Sequence, residues 1–147
     1  MICLVHRLWR RLILNKRITN RKGQGGKMVT GIGVDLIEVD RVTKACEKEG
    51  FLRRYFTEKE ILIIQEDIRK AADNFAVKEA VSKMFGTGFR TFTPIDIEVL
   101  RDDLGKPYVN LKGGAKELAK SQNINKIHVS ISNTKDYANA FVVGESI

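Results

Sequence analysis

The order in which hydrophobic periodicity changes along residues 28–147 constrains the fold more than any composition value does. It runs from a period of two to a helical period and back again. VTGIGVDLI alternates as a strand, with Ile32, Val34 and Leu36 on one face and Gly31, Gly33 and Asp35 on the other. Residues 38–49 fit a helix, with Val42, Cys46 and Glu49 at helical spacing and Gly50 at its end. FTEKEI opens a second helix: Thr57 and Glu60 are spaced as a capping box, and Phe56 and Ile61 as its hydrophobic staple. A longer helix covers residues 70–85, where Ala72, Ala76, Ala80 and Met84 turn inward before Gly86-Thr87-Gly88 stops it. The period then returns to two. IDIEVL and KPYVNL flank a turn-like Asp-Asp-Leu-Gly as a hairpin, and AKELAKSQ after Gly113-Gly114 reads as a short helix. KIHVSIS and YANAFVV bracket residues 133–136 as a second hairpin. Strand, helices, hairpin, helix, hairpin is an α+β order, an antiparallel sheet with packed helices, and not the alternation of a doubly wound sheet. There is no internal repeat and no low-complexity segment.

The formal charge of +8 invites a nucleic-acid reading, and its distribution argues against one. Residues 1–27 carry Arg7, Arg10, Arg11, Lys16, Arg17, Arg21, Lys22 and Lys27 and no acid, which accounts for the whole excess. The remaining 18 basic side chains balance 18 acidic ones. A neutral domain lacks the broad positive footprint that a phosphate backbone requires. No apolar run approaches the ~20 residues of a membrane-spanning helix. Cys3 and Cys46 form neither a metal-ligand spacing nor a disulfide framework, and suit a reducing, cytoplasmic setting. Cys46 reads as a small packed side chain rather than a nucleophile.

We place a boundary between Lys27 and Met28, dividing a basic extension over residues 1–27 from a domain over residues 28–147. An Arg-rich, acid-free leader has the character of a transit peptide, and LVHRLWRRLILNK also has the mixed character of a membrane-surface helix. A third reading is preferred. Gly-Gly-Lys before a methionine is what a purine-rich ribosome-binding site yields when translated, so the expectation is a natural start at Met28, with an extension that is disordered or foreign to the protein.

Three groups of residues are suited to chemistry. Glu79 and Lys83 stand four apart on one helical face, with Phe75 one turn earlier. An exposed pair of this kind is ordinarily a surface ion pair of about 0.3–0.5 kcal/mol. Asp35 follows two alternate glycines on its strand face, which leaves room for a ligand or for another backbone. Asp35 and Glu79 together offer two hard oxygen ligands of the kind magnesium takes, with other positions left to water and phosphate. In HVSIS, His128, Ser130 and Ser132 share one face, either as donors to a phosphate-bearing ligand or as the polar outer side of a half-buried strand.

GIGVDLIEVDRV, FAVKEAVSKMFGTG and HVSIS, in this order and at these separations, resemble holo-acyl-carrier-protein synthase, the short bacterial type of 4′-phosphopantetheinyl transferase. The resemblance runs from Met28 to about the C-terminus and implies that family's α+β fold. It implies transfer of 4′-phosphopantetheine from coenzyme A to a serine of an apo-acyl carrier protein, with release of 3′,5′-ADP, in the service of fatty acid biosynthesis. Asp35 and Glu79 match the metal-binding carboxylates, with Mg2+ as the expected ion. Lys83 matches a lysine that contacts phosphate, and Gly86 a glycine that lets the backbone approach the coenzyme. His128, Ser130 and Ser132 fall in the strand lining the coenzyme site, and Lys78, beside Phe75 in the segment leading to the glutamate, is assigned to the coenzyme as well. The catalytic set implied is Glu79, Lys83 and Asp35. Two positions depart from the pattern: Asn74 stands where the family often has arginine, and Asn133 where it often has histidine. The first removes one phosphate contact and shifts reliance to Lys78, Lys83 or neighbouring basic residues.

The implied chemistry follows physically. A hydroxyl must approach a charged phosphorus, and a cation on the pyrophosphate neutralises that charge while Lys83 adds fixed positive charge where negative charge grows. Glu79 or a water of the cation's shell receives the serine proton, a choice the sequence leaves open. Acyl carrier proteins are acidic, and Arg41, Lys44 and Lys48 fall within about 60° of one another on a helix, which suits docking. Arg53 and Arg54 follow closely. The resemblance also implies a homotrimer with coenzyme sites at subunit boundaries. Neither a nucleic-acid nor a membrane partner is expected. The rivals are a magnesium-dependent phosphohydrolase and a non-catalytic module that binds carrier protein or nucleotide.

Overall fold

The computed structural model describes residues 26–147. The readings placed on residues 1–27 fall outside it except at Gly26 and Lys27. The elements are strand β1 (Met28–Glu38), helices α1 (Val39–Cys46), α2 (Phe51–Tyr55), α3 (Glu58–Glu66) and α4 (Lys70–Phe85), and a 3-10 turn at Pro94–Asp96. Strands β2 (Ile97–Arg101) and β3 (Pro107–Leu111), helix α5 (Gly113–Ser121), and strands β4 (Lys126–Asn133) and β5 (Tyr137–Ser146) complete the order. β1, β5 and β4 form an antiparallel sheet in that spatial order, and β2 pairs with β3 as a separate antiparallel hairpin. No described helix is long and apolar enough to cross a membrane.

Helix α4 is the centre of the molecule and packs against β1, β5, α1 and β2. Its alanines decide how closely it sits. Ala72, Ala76 and Ala80 have no exposed surface, and Met84 little, as the inward spacing anticipates. The sheet meets them with glycine. A Cβ on Gly33 would lie 1.8 Å from the Ala80 carbonyl oxygen, and one on Gly31 2.5 Å from that of Met84. The alternate glycines thus serve the approach of another backbone, one of the two uses that the strand pattern left open. The face carrying Asp35 is therefore the helix-facing side.

The opposite face departs from an ordinary amphipathic strand. Ile32, Val34 and Leu36 are 63%, 51% and 63% exposed, and Phe141, paired with Val34 on β5, is 45% exposed. Small residues under α4 and large apolar residues turned outward invert the usual pattern, in which the bulky side of a strand covers the core.

Local signals are realised at several termini. Thr57 accepts from the Glu60 amide at 3.4 Å, and Glu60 Oε2 accepts from the Thr57 amide at 2.9 Å, so the capping box caps α3. Gly86 ends α4 in the left-handed region at φ 75°, which a side chain would resist. The first helix is shorter than its sequence pattern suggests. It stops at Cys46, and residues 47–50 turn, with Gly50 at φ 79° leading into the short α2. Cys46 is half-buried, and burial pushes its thiol up, away from nucleophilic use.

Candidate active site

β1 and α4 bring together the residues that sequence reasoning had to combine at a distance. Asp35 projects from the glycine face of β1 toward α4. Lys83, in the last turn of α4, places its ammonium 2.6 Å from Asp35 Oδ1 and 3.1 Å from the Val34 carbonyl oxygen. Glu79 lies one helical turn earlier on the same face, half-buried. Burial first, and then the nearby Asp35 carboxylate, push the Glu79 carboxyl above its ordinary range, while Lys83 opposes them. Glu79 and Lys83 are therefore not a free-standing surface pair, since Lys83 spends its charge on β1.

Asp35 Oδ2 is buried and has no hydrogen-bond partner. A carboxylate oxygen left bare beside a second, desolvated carboxylate is costly unless a cation joins them. The donor set thus fits a small divalent ion held by Asp35 and Glu79, with its other positions left to water and ligand oxygens. Among the described residues no group of three or more His, Cys, Asp or Glu side chains is gathered at one place.

Glu79 opens into a cavity of about 530 Å³ lined by Arg53, Arg54, Tyr55, Phe75, Phe89 and the Thr93–Ile95 turn. The rings of Tyr55 and Phe75 stand 5.7 Å apart, and the Arg54 guanidinium lies 5.7 Å from the centre of the Tyr55 ring. One wall is aromatic and another cationic, which suits a ligand carrying both phosphate and less polar parts. Phe75 was legible from its place on the Glu79 stripe. Tyr55 and Phe89 were not, because they come from a five-residue helix and an irregular segment with no periodicity to read. Beyond α4, Gly86 and Gly88 at φ 75° and 61° have open space where a Cβ would stand, so backbone there is accessible to a ligand.

Two expectations are corrected. Lys78 was assigned to the coenzyme, yet it is fully buried. Its ammonium pairs with Glu60 at 2.9 Å and donates to the carbonyls of Pro94, at 3.0 Å, and Ile97. One residue before Glu79 means about 100° around the helix, which turns Lys78 into the core. Lys48 was placed on one stripe with Arg41 and Lys44, but it lies in the turn beyond α1. Arg41 and Lys44 are exposed on α1, with Lys44 paired to Asp40 at 2.9 Å.

His128, Ser130 and Ser132 are on β4, on the outward face. The register pairs Ser130 with Phe141 and Phe141 with Val34, whereas Asp35 pairs with Ala140 on the other face. Within one chain these three residues do not meet the Asp35–Glu79 pair. His128 Nε2 lies 3.0 Å from Glu145 Oε2 on that outward face. Asn74 also points away from the site: its amide donates to Glu60 and to the Val99 carbonyl, and its oxygen accepts from Arg101 at 3.0 Å.

The chain has known relatives in sequence and in fold. Residues 31–142 match the family model for the 4′-phosphopantetheinyl transferase superfamily. A holo-acyl-carrier-protein synthase of Lachnoclostridium phytofermentans is 62% identical over 120 residues, covering 82% of this chain and 98% of that protein. The crystal structure of the Bacillus anthracis synthase in complex with coenzyme A (3′,5′-ADP) aligns with a TM-score of 0.68 at 36% identity, over 82% of this chain and 99% of that one. The Helicobacter pylori synthase in complex with coenzyme A aligns with a TM-score of 0.69 at 30% identity, over 77% and 98%. An alignment this complete, over a glycine-faced strand and an alanine-rich helix that together hold two carboxylates and a lysine, makes the chain a member of the 4′-phosphopantetheinyl transferase superfamily, among its holo-acyl-carrier-protein synthases.

Proposed function

We propose that this chain transfers 4′-phosphopantetheine from coenzyme A to a serine hydroxyl of an apo-acyl carrier protein and releases 3′,5′-ADP, making holo-carrier for fatty acid biosynthesis in the cytoplasm. The observation that carries the proposal is the Asp35–Lys83–Glu79 constellation, whose Glu79 lines a cavity with arginine and aromatic walls. The synthases it resembles over nearly their whole length include two solved with coenzyme A, which supports the substrate. The transferase domain spans residues 28–147.

A divalent ion such as Mg2+, held by Asp35 and Glu79, would neutralise the pyrophosphate and steady the departing ADP. The residues do the rest. The serine oxygen attacks the phosphorus that bears the pantetheine arm, and the bond from that phosphorus to the bridging oxygen of the pyrophosphate breaks. Lys83 supplies fixed positive charge beside the oxygens on which negative charge accumulates. Glu79, or a water it orients, is the candidate acceptor of the serine proton. Gly86 opens the backbone to the coenzyme, and Arg53 and Arg54 add cationic wall. Arg41 and Lys44 on α1 orient the acidic carrier.

The outward apolar face supports a homotrimer. Ile32, Val34, Leu36 and Phe141 gain burial when protomers associate. His128, Ser130 and Ser132 share that face, so association would present them to a neighbouring subunit's site and complete a coenzyme pocket between chains.

Incubation with apo-carrier, coenzyme A and Mg2+, followed by mass measurement of the carrier, tests the proposal. The expected result is a gain of one phosphopantetheine with 3′,5′-ADP released, abolished by Asp35→Asn or Glu79→Gln. An unchanged carrier mass with coenzyme A cleaved would identify a phosphohydrolase, and an unchanged mass with coenzyme A intact a binding module. Sedimentation of the same sample measures the oligomer.

A further inference from the structure

Asp35 is served unequally. Its Oδ1 takes the Lys83 ammonium at 2.6 Å, while Oδ2 is buried and bare. The same ammonium also donates to the Val34 carbonyl at 3.1 Å, so one charged and one neutral oxygen of β1 hold it. The Lys83 side chain is 51% exposed, and that of Asp35 13%. Packing therefore does not force this lysine onto β1. The contact is electrostatic and reversible, and it leaves the second oxygen of Asp35 unpaired.

We infer that Lys83 is an exchangeable counterion: in metal-free protein its ammonium neutralises Asp35, and a divalent cation entering between Asp35 and Glu79 releases it toward the incoming phosphates. The inference rests on the reading of those two carboxylates as the cation's ligands. Two neighbouring carboxylates without a counterion repel each other, and the nearest mobile positive charge is Lys83. Because the ammonium covers only Oδ1, Oδ2 keeps its lone pairs unpartnered for a cation that takes the lysine's place. Exchange then links two events. The arriving cation sets free the lysine that the coenzyme needs, so cation and coenzyme each favour the other's binding.

Charge at contact distance from a divalent site has a large effect on affinity. Removing one positive charge changes cation affinity by about tenfold or more. The test is titration of the full chain with Mn2+ alone, followed by the electron paramagnetic resonance of free Mn2+, with no coenzyme or carrier present. The expected result is binding about tenfold tighter in Lys83→Met, within about threefold of wild type in Lys83→Arg, and at least tenfold weaker in Asp35→Asn. Equal or weaker binding in Lys83→Met, with Asp35→Asn still weakened, overturns the counterion role and leaves the cation site intact. Binding indifferent to Asp35→Asn overturns both. A second measurement needs no neutral variant: the side-chain ammonium resonance of Lys83, assigned by its loss in Lys83→Arg, moves when Mg2+ is added. A resonance that stays in place overturns the exchange.

Discussion

Replacing Lys78 by methionine isolates the buried ion pair that ties α4 to α3, to the Pro94–Asp96 turn and to β2. Lys78 and Glu60 have no exposed surface, and the ammonium lies 2.9 Å from Glu60 Oε2. Methionine preserves the length of the side chain and removes the charge. Glu60 would keep the amides of Thr57 and Val99 and the side chain of Asn74 as donors, so the carboxylate is not bare, but it loses the Lys78 cation. The carbonyls of Pro94 and Ile97 lose a donor too. Breaking a buried pair by deleting one partner costs about 3–5 kcal/mol. Methionine escapes the burial penalty that pushes the Lys78 ammonium below its ordinary range, which favours the lower end, about 3 kcal/mol. At about 4 °C per kcal/mol for a domain of this size, the melting temperature falls by about 12 °C. The assay is equilibrium urea unfolding at fixed protomer concentration, since association adds its own stability. Adding Glu60→Gln removes the stranded charge, so the double variant is less destabilised than the sum of the singles by at least about 1 kcal/mol. A loss below about 1 kcal/mol for Lys78→Met, or strict additivity, would refute the reasoning, because it would mean that water reaches the pair.

Other outcomes follow from the same geometry. In metal-free protein the raised Glu79 carboxyl binds a proton more tightly when folded than when unfolded, so stability falls as pH rises from the ordinary carboxylate value through the raised one. Glu79→Gln is accordingly more stable than wild type by about 0.5–2 kcal/mol at pH 8 in chelator. Thermal melts at descending pH show the gap closing in acid, and saturating Mg2+ reverses the order. Gly33→Ala forces a Cβ to within 1.8 Å of the Ala80 carbonyl, so circular dichroism and yield report a loss above about 3 kcal/mol or failure to fold. Paired charge reversal, Arg41→Glu with Lys44→Glu, raises the KM for carrier protein by about tenfold while the KM for coenzyme A stays within about twofold. Equal changes in both would remove α1 from docking.

How much of this was written along the chain depends on the range of each interaction. The capping box at Thr57 and Glu60, the span Lys70–Phe85 and both hairpins arise between residues close in sequence, so propensity, spacing and turn chemistry were enough to find them. Asp35 and Glu79 were legible as a suitable pair of oxygen ligands, but not as neighbours, because no local rule relates residues so far apart. Lys78 shows why adjacency in sequence misleads: it belongs to the same motif as Glu79, yet the helical turn sends it into the core.

The sequence by itself determined the α+β order, the helix that carries Glu79 and Lys83, and the strand faces, since each follows from periods of two or 3.6 residues. Only the tertiary structure decided which face of β1 meets α4. Backbone closeness over glycine won against burial of Ile32, Val34 and Leu36, and that choice put Asp35 beside Lys83 while turning His128, Ser130 and Ser132 to the other side. Which of two faces is covered depends on what else is available to cover it, and that information lies in the rest of the chain and not in the strand.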